Sequence, residues 1–345
     1  MGLLTGKLLG HHKYQHSFLT GLLIPKGPGT SVNEYNGVGV DHWYRARSHY
    51  HGKRNPWIFL GLFFALRILF DSRECFRYVT KHMRREKHGH RDIAAEKVDA
   101  GPEENTRLMK EYAMAHPEVD AVGVTRMTDE YRYEGIEEGN QYPWIIVVAR
   151  AMKYDEIAKN LEGDFSRVLT QVIGGYERSQ KAAVDVSNWI RERGFYARGY
   201  GGLTKRSTEF HLTIPPAIAA GIGQLGKNGS MISDKMGSAF RLATILTDME
   251  FVADKPREIG VEEFCVSCKK CTEDCPPGAL NDEKVMVRGT RKWYVDFEKC
   301  MPYLAEHKAC GICLTTCPWS RPGIAPSLSQ KMLKKMARRA DAATS

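Results

Sequence analysis

Eight of the nine cysteines in this 345-residue chain fall between positions 265 and 317. They form two related runs. The first is Cys265-x2-Cys268-x2-Cys271-x3-Cys275-Pro276; the second is Cys310-x2-Cys313-x3-Cys317-Pro318, with Cys300 ten residues upstream. The first run has the bacterial ferredoxin spacing, in which three thiolates bind one [4Fe–4S] cubane and the fourth reaches across to its neighbour. A tight C-x2-C-x2-C loop wraps three corners of a cube while its amides face the sulfides. The fourth cysteine, followed by Pro, turns toward the other cube. By that rule cluster one takes Cys265, Cys268, Cys271 and Cys317. Cluster two takes Cys275, Cys310, Cys313 and, by elimination, Cys300. Structural zinc also favours Cys-x2-Cys, but it does not account for a fourth cysteine after x3, followed by Pro, occurring twice. Such cysteine usage also points to a reducing compartment. The ninth cysteine, Cys75, reads as a plain buried or interfacial residue.

Two cubanes in crossed ligation imply electron transfer. A module of that kind needs only a fraction of the chain, so the remainder is expected to hold something that receives or donates the electrons. This favours an enzyme over a simple carrier. A non-catalytic electron-transfer subunit is the alternative from another class.

The net charge of +9 is localised. Residues 1–92 contain 15 Lys+Arg and 6 Asp+Glu, whereas the rest carries 35 of each sign. A basic segment suits nucleic acid, an anionic membrane surface or an acidic partner. Within it lies the apolar stretch 57–70, from Trp57 to Phe70. As a helix it would extend ~21 Å, short of a ~30 Å hydrocarbon core. Two readings stay open: a helix in the membrane interface, or a core helix covered by the main domain. The first would place Arg45, Arg47, Lys53, Arg54, Arg73, Arg77, Arg84 and Arg85 near headgroups. Regular aromatic interleaving is lacking, so nucleic acid is not the expected partner. No secretory signal is seen, because Lys7, His11, His12 and Lys13 interrupt the early apolar residues. The expected location is the cytoplasmic side, with possible membrane contact through residues 1–92.

Hydropathy patterning divides the chain into a basic, poorly packed arm (1–95) with the helix 57–70, an α+β domain (96–255), the cluster domain (256–325) and a basic tail (326–345). In the second part, Glu104–His116 reads as helix, and Val119–Val124, Tyr142–Ala149 and Phe240–Leu246 as strands. The apolar run of 142–149 marks a central strand. A long helix is expected after Gly175-Tyr176, ended by Gly194, with a strand starting at Phe195. The tract from Gly221 to Gly229 would let a ligand approach the backbone closely, and Gly221, Gly223, Gly226 and Asn228 are the candidate cofactor-binding residues. It lacks the Gly-Lys-Ser/Thr of a nucleotide P-loop.

Several stretches together resemble the corrinoid-dependent reductive dehalogenases and, more distantly, the epoxyqueuosine reductases. They are Trp144–Met152, Tyr176, Ile190–Ala197, Ile214–Gly226, Arg241–Asp248, Asp254-Lys255-Pro256 and Phe264-Cys265, with Cys300 as the detached upstream cysteine. The resemblance runs from about Glu111 to Pro322. It implies a nitroreductase-like α+β domain holding a base-off corrinoid (cobalamin), fused to a ferredoxin-like domain with two [4Fe–4S] clusters. It also implies that the clusters reduce cobalt, that halide leaves a small organohalide, and that a tyrosine protonates the developing carbanion. Electrons would come from an external donor. By motif position the tyrosine is Tyr176, and Arg241 is the basic residue that helps hold tyrosine and halide. Many family members place an asparagine near position 202, where this chain reads Gly201-Gly202-Leu203-Thr204. The acidic catalytic motif of the epoxyqueuosine reductases is not found, which leaves a tRNA-modifying activity as the second enzyme reading.

Overall fold

The computed structural model describes residues 14–47, 57–135, 142–202 and 211–344. Lys53, Arg54, Leu203 and Thr204 lie outside the described residues, as do residues 1–13 with Lys7, His11, His12 and Lys13.

Strands β1 (Ala121–Arg126), β2 (Trp144–Ala151), β3 (Ala197–Tyr200) and, after a small hairpin of β4 (Gln224–Leu225) and β5 (Met231–Ile232), β6 (Phe240–Thr247) are the strands of the α+β part. Four of them form one antiparallel sheet in the order β1-β2-β6-β3. The register sets Trp144 opposite Thr247 and Arg150 opposite Arg241. Residues Trp144–Ala149 are buried throughout, because helices or loops cover both faces of this inner strand. That is why its sequence does not alternate.

The longer helices before β3 are α1 (Phe18–Leu23), α2 (Ile58–Asp71), α3 (Arg73–His88), α4 (Pro102–Ala115) and α5 (Phe165–Arg191). Helix α5 crosses one face of the sheet. Its Ala182, Ala183, Val186 and Ile190 repeat at three and four, and pack on Ile146, Val148, Ala243 and Ile245, with Met109 and Ala113 of α4 alongside. The helix begins much earlier than its sequence suggests. Asp164 caps it by accepting from the amides of Ser166 and Arg167, so Tyr176 lies in mid-helix and not at its start. Gly174 and Gly175 look like helix breakers, yet they act as packing notches. A Cβ on Gly174 would stand 2.9 Å from the Tyr78 ring, and one on Gly175 2.9 Å from Cγ of Arg241. At the other end Gly194 adopts φ +79, as a residue just past a helix often does.

The described part of residues 1–95 is packed, which departs from the loose arm expected of it. Trp57 and Leu60 of the α2 segment bury against Met301 and Ala305. Ile68 and Cys75 bury against Leu169, Ile173 and Ala309. Tyr14 donates to Glu306 at 2.6 Å, and Asn33 to Asp296 at 2.9 Å. Arg45 pairs with Asp129 at 2.9 Å, Arg47 with Glu134, and Arg85 with the buried Glu177 at 2.8 Å. These three arginines therefore bind the body of the protein and leave a headgroup role to others. The apolar positions of this segment find their partners far along the chain, where no local period could announce them.

The cluster domain comprises α6 (Val261–Ser267), α7 (Phe297–Glu306), α8 (Ile324–Thr344) and the hairpin β7 (Val285–Val287) and β8 (Thr290–Lys292). The basic tail is mostly helix α8, whose Ala325 and Met332 join Val261, Trp293 and Trp319 in one core. Replacing Leu60, 1 % exposed, by Ala should cost about 2–5 kcal/mol by cavity formation, read as a lower midpoint in chemical denaturation. A change within error would mean that α2 is not part of the folded core.

Candidate functional site

Helix α6 and the turn after it carry Cys265, Cys268 and Cys271 on three successive bends, with Cys265 in the helix, Cys268 at its end and Cys271 in the short helix Lys270–Glu273. Cys317 approaches them from the other end of the domain. Its thiol is pushed far up, by burial first and then by repulsion from Cys265, Cys271 and Cys268. Burial likewise pushes Cys265 up to about 11 and Cys271 to about 12. The second group is Cys275, Cys300, Cys310 and Cys313. Burial raises Cys300 to about 12, with Cys275 the next influence. Cys313 is driven well above the usual thiol range by burial, then by Cys310, Cys275, Cys300 and Cys271. The last influence shows that the two quartets adjoin.

All nine cysteines are free of disulfides. Among the described residues no three His, Cys, Asp or Glu side chains converge as ligands of a single metal ion do. Cys265, Cys268, Cys271 and Cys317 line one small pocket of about 10 Å³ together with Lys227 and Asn228. Desolvated sulfurs of this kind are neutral thiols without metal and become thiolates on binding it, so loading releases protons. Eight soft sulfur donors gathered in one small domain have the donor chemistry of two iron–sulfur cubes. Cys75, fully buried beside Leu169 and Ile173, is apart from both.

The glycine tract does something other than was expected. A Cβ on Gly221 would stand 2.8 Å from the Lys255 carbonyl oxygen, and one on Gly223 would strike that of Ile232. The close approach these glycines permit is thus taken up by the protein's own backbone. Asn228 is equally committed. Its amide donates to Ser238 at 2.9 Å and to the Cys313 carbonyl at 3.2 Å, and its oxygen accepts from Ser230 at 3.1 Å. Gly226 packs against Ile232. The tract holds the cluster loops in place.

Tyr176 and Arg241 do come together. The guanidinium carbon of Arg241 lies 5.1 Å from the centroid of the Tyr176 ring, a cation–π contact. Along β3 and just past its end the chain runs back beside α5 through small residues. A Cβ on Gly199 would stand 2.7 Å from the Ala183 backbone, and one on Gly202 would run into the Tyr176 ring. At Gly201 a Cβ would meet His82 at 2.5 Å and Gln180 at 2.7 Å. His82 and Gln180 are fully buried, and among the described residues neither ring nitrogen of the one nor either amide atom of the other has a hydrogen-bond partner. The Nε of Arg241 is also unpartnered. Burial, then Arg85, lowers His82 to about 3, so its imidazole is neutral. Sequence reasoning missed both residues, since His82 lies in the segment read as an arm and Gln180 in a helix read only for its apolar face.

The quartets lead to a specific expectation. A Cys265→Ala/Cys268→Ala variant should keep half the cluster iron, and adding Cys317→Ala should remove no more, by iron analysis and EPR. Loss of nearly all iron in the triple variant would place Cys317 with the other group.

A 4Fe-4S dicluster domain model matches residues 264–320. A tetrachloroethene reductive dehalogenase of Desulfitobacterium hafniense is 35% identical over 159 residues, which is 42% of this chain and 28% of that protein. An epoxyqueuosine reductase of Leadbetterella byssophila is 31% identical over 121 residues, 30% of this chain and 35% of that protein. Among solved structures, a reductive dehalogenase whose structure suggests a mechanism for B12-dependent dehalogenation superposes with a TM-score of 0.64 at 24% identity. That match covers 77% of this chain and 39% of the other. The chain therefore spans about a third of the length of the relatives it matches, and the structural likeness concerns the fold. The expected α+β architecture is borne out. The chain is thus similar over part of its length to reductive dehalogenases and to epoxyqueuosine reductases, shares the fold of the former, and carries a 4Fe-4S dicluster domain at residues 264–320.

Proposed function

We propose that this chain is an iron–sulfur and corrinoid-dependent reductase that removes halide from a small organohalide, with electrons from an external donor relayed by two [4Fe–4S] clusters. The observation that carries the reading is the Tyr176–Arg241 pair, held over a glycine seam in a chain that also carries the two thiol quartets. The residues beside Tyr176 fit a broad organic cofactor in two respects. Gly201 and Gly202 keep side chains off the end of β3, and the unpartnered buried atoms of Arg241, Gln180 and His82 have hydrogen-bonding capacity to spare. These residues would hold the corrinoid, rather than Gly221, Gly223 and Gly226, whose space the backbone fills. Asn228 acts at one remove, through the Cys313 carbonyl.

When bound, a corrinoid supplies a strongly reduced cobalt centre able to break a carbon–halogen bond. Replacing halogen by hydrogen takes up two electrons and one proton and releases halide. The cysteine quartets seat the electron carriers. Tyr176 holds the proton on its phenolic oxygen and gives it to the carbon that loses the halogen. The Arg241 charge on the ring face stabilises the phenolate left behind and favours the departing anion.

Anaerobic reconstitution with iron, sulfide and cobalamin tests this, with tetrachloroethene and a halogenated phenol as probes. Halide release should require cobalamin and fall about 10²-fold or more in Tyr176→Phe, the range of general acid catalysis, at unchanged iron content. Clusters without cobalamin binding would favour the electron-carrier reading, and reduction of epoxyqueuosine in tRNA the other enzyme.

Contact with an anionic membrane surface is part of the proposal. Among the described residues no helix is long and apolar enough to cross a membrane. On α2, however, Ile58, Phe59, Leu62, Leu66 and Phe70 recur on one exposed face, with Phe18, Leu19 and Leu22 of α1 also exposed. Arg73, Arg77 and Arg84 of α3 are exposed as well. Apolar side chains flanked by cations suit the interface of an anionic bilayer. The chain should sediment with vesicles containing phosphatidylserine and less so with neutral ones, and a Phe59→Glu/Leu62→Glu/Leu66→Glu variant should stay in the supernatant. Equal sedimentation of variant and parent would exclude this face.

A further inference from the structure

Lysine is almost never fully buried unless its charge is matched. Lys227 is 2 % exposed. It sits at the tip of the β4–β5 hairpin, where the amide of Gly226 donates to the Ser230 carbonyl at 2.8 Å. From there the side chain enters the cluster domain. Its ammonium donates to the carbonyl of Cys268 at 2.9 Å and to Asp282 at 3.1 Å, and lies 5.0 Å from the centroid of the Trp293 ring. Its stem lines the cavity shared by Cys265, Cys268, Cys271 and Cys317. Neither catalysis at Tyr176 nor the fold of the sheet calls for a cation there.

We propose that Lys227 sets the reduction potential of cluster one, holding it above that of cluster two; the inference rests on the two-cluster reading. A cube held by four thiolates is anionic, and reduction adds one more negative charge. A fixed positive charge in a dry surrounding stabilises the reduced form more than the oxidised one, which raises the potential. Asp282 opposes this only in part. It is 40 % exposed and is shared with Lys269 at 3.3 Å and with the Thr272 hydroxyl at 2.9 Å. The three charged groups thus sum to one positive charge. Among the described residues, cluster two has no buried lysine of this kind. Lys299, the cation acting on Cys275, is 54 % exposed and pairs with Asp296 at 3.3 Å, so water screens it. Cluster one is then the first to fill as the potential falls.

A merely structural lysine would tie the Cys268 loop down without moving a potential. The test is an EPR-monitored redox titration of the full chain with both clusters reconstituted. In Lys227→Met one of the two midpoints should fall, with the other unchanged and iron content as in the parent, and Lys227→Arg should restore most of the shift. Two midpoints equal to the parent's would overturn the proposal. Should Lys227→Met fail to keep its iron, Asp282→Asn decides. Removal of the counter-charge should raise one midpoint alone, and no movement there refutes the idea. Absence of any cluster signal in the parent would sink the two-cluster reading itself, an outcome distinct from intact clusters with unmoved midpoints.

Discussion

Sulfur taken out of water governs how the C-terminal part of this molecule is built. Burial drives most of the quartet thiols above their ordinary range, and neighbours of the same kind add repulsion wherever a second thiolate would form. Such groups tolerate close assembly only as ligands of a positively charged core. In the crossed ligation proposed for the two clusters each quartet draws on both ends of the domain, so iron binding would couple to closure of the domain. Cys317 can reach Cys265 only after the chain has passed through β7, β8 and α7. The packing of Trp319 and α8 against Val261 and Trp293 secures that return.

The same economy of space appears at the junction of α3, α5 and the end of β3. Glycines at 174, 175, 199, 201 and 202 allow backbone and side chains to close to distances that any Cβ would prevent. Into this seam project Tyr176, Arg241, His82 and Gln180, three of them with buried polar atoms that no group among the described residues satisfies. Unsatisfied buried polar groups are costly in a folded protein. Their gathering at one place is what the proposed corrinoid site rests on, and helix α3 carries one of them, His82.

Between the seam and the quartets lies the tract from Gly221 to Gly229. Its glycines admit backbone where a cofactor had been expected, while Lys227 and Asn228 reach into the cluster loops. The tract thus ties its hairpin to the cysteine loops by hydrogen bonds to the Cys268 and Cys313 carbonyls. Its real character shows only when the partners of each residue are known, since a glycine spacing suits a tight hairpin as well as a ligand.

The sequence alone determined the features written in local spacing. The ferredoxin-like runs at 265–276 and 310–318 announced the clusters, and unbroken apolarity announced the inner strand at 142–149. Tyr176 and Arg241 were found by resemblance, and chemistry of their own did not mark them. Tertiary structure decided what depends on distant pairs of residues: the start of α5 at Phe165, the burial of the supposed arm against Met301 and Leu169, and the helical fate of the tail. It also decided the burial of Lys227, whose partners lie 41 and 55 positions away. The physical reason is common to all of these. A metal-ligand spacing or a strand's apolarity is fixed within a few residues, whereas burial of a charge or a notch in a helix has meaning only once its partner has arrived.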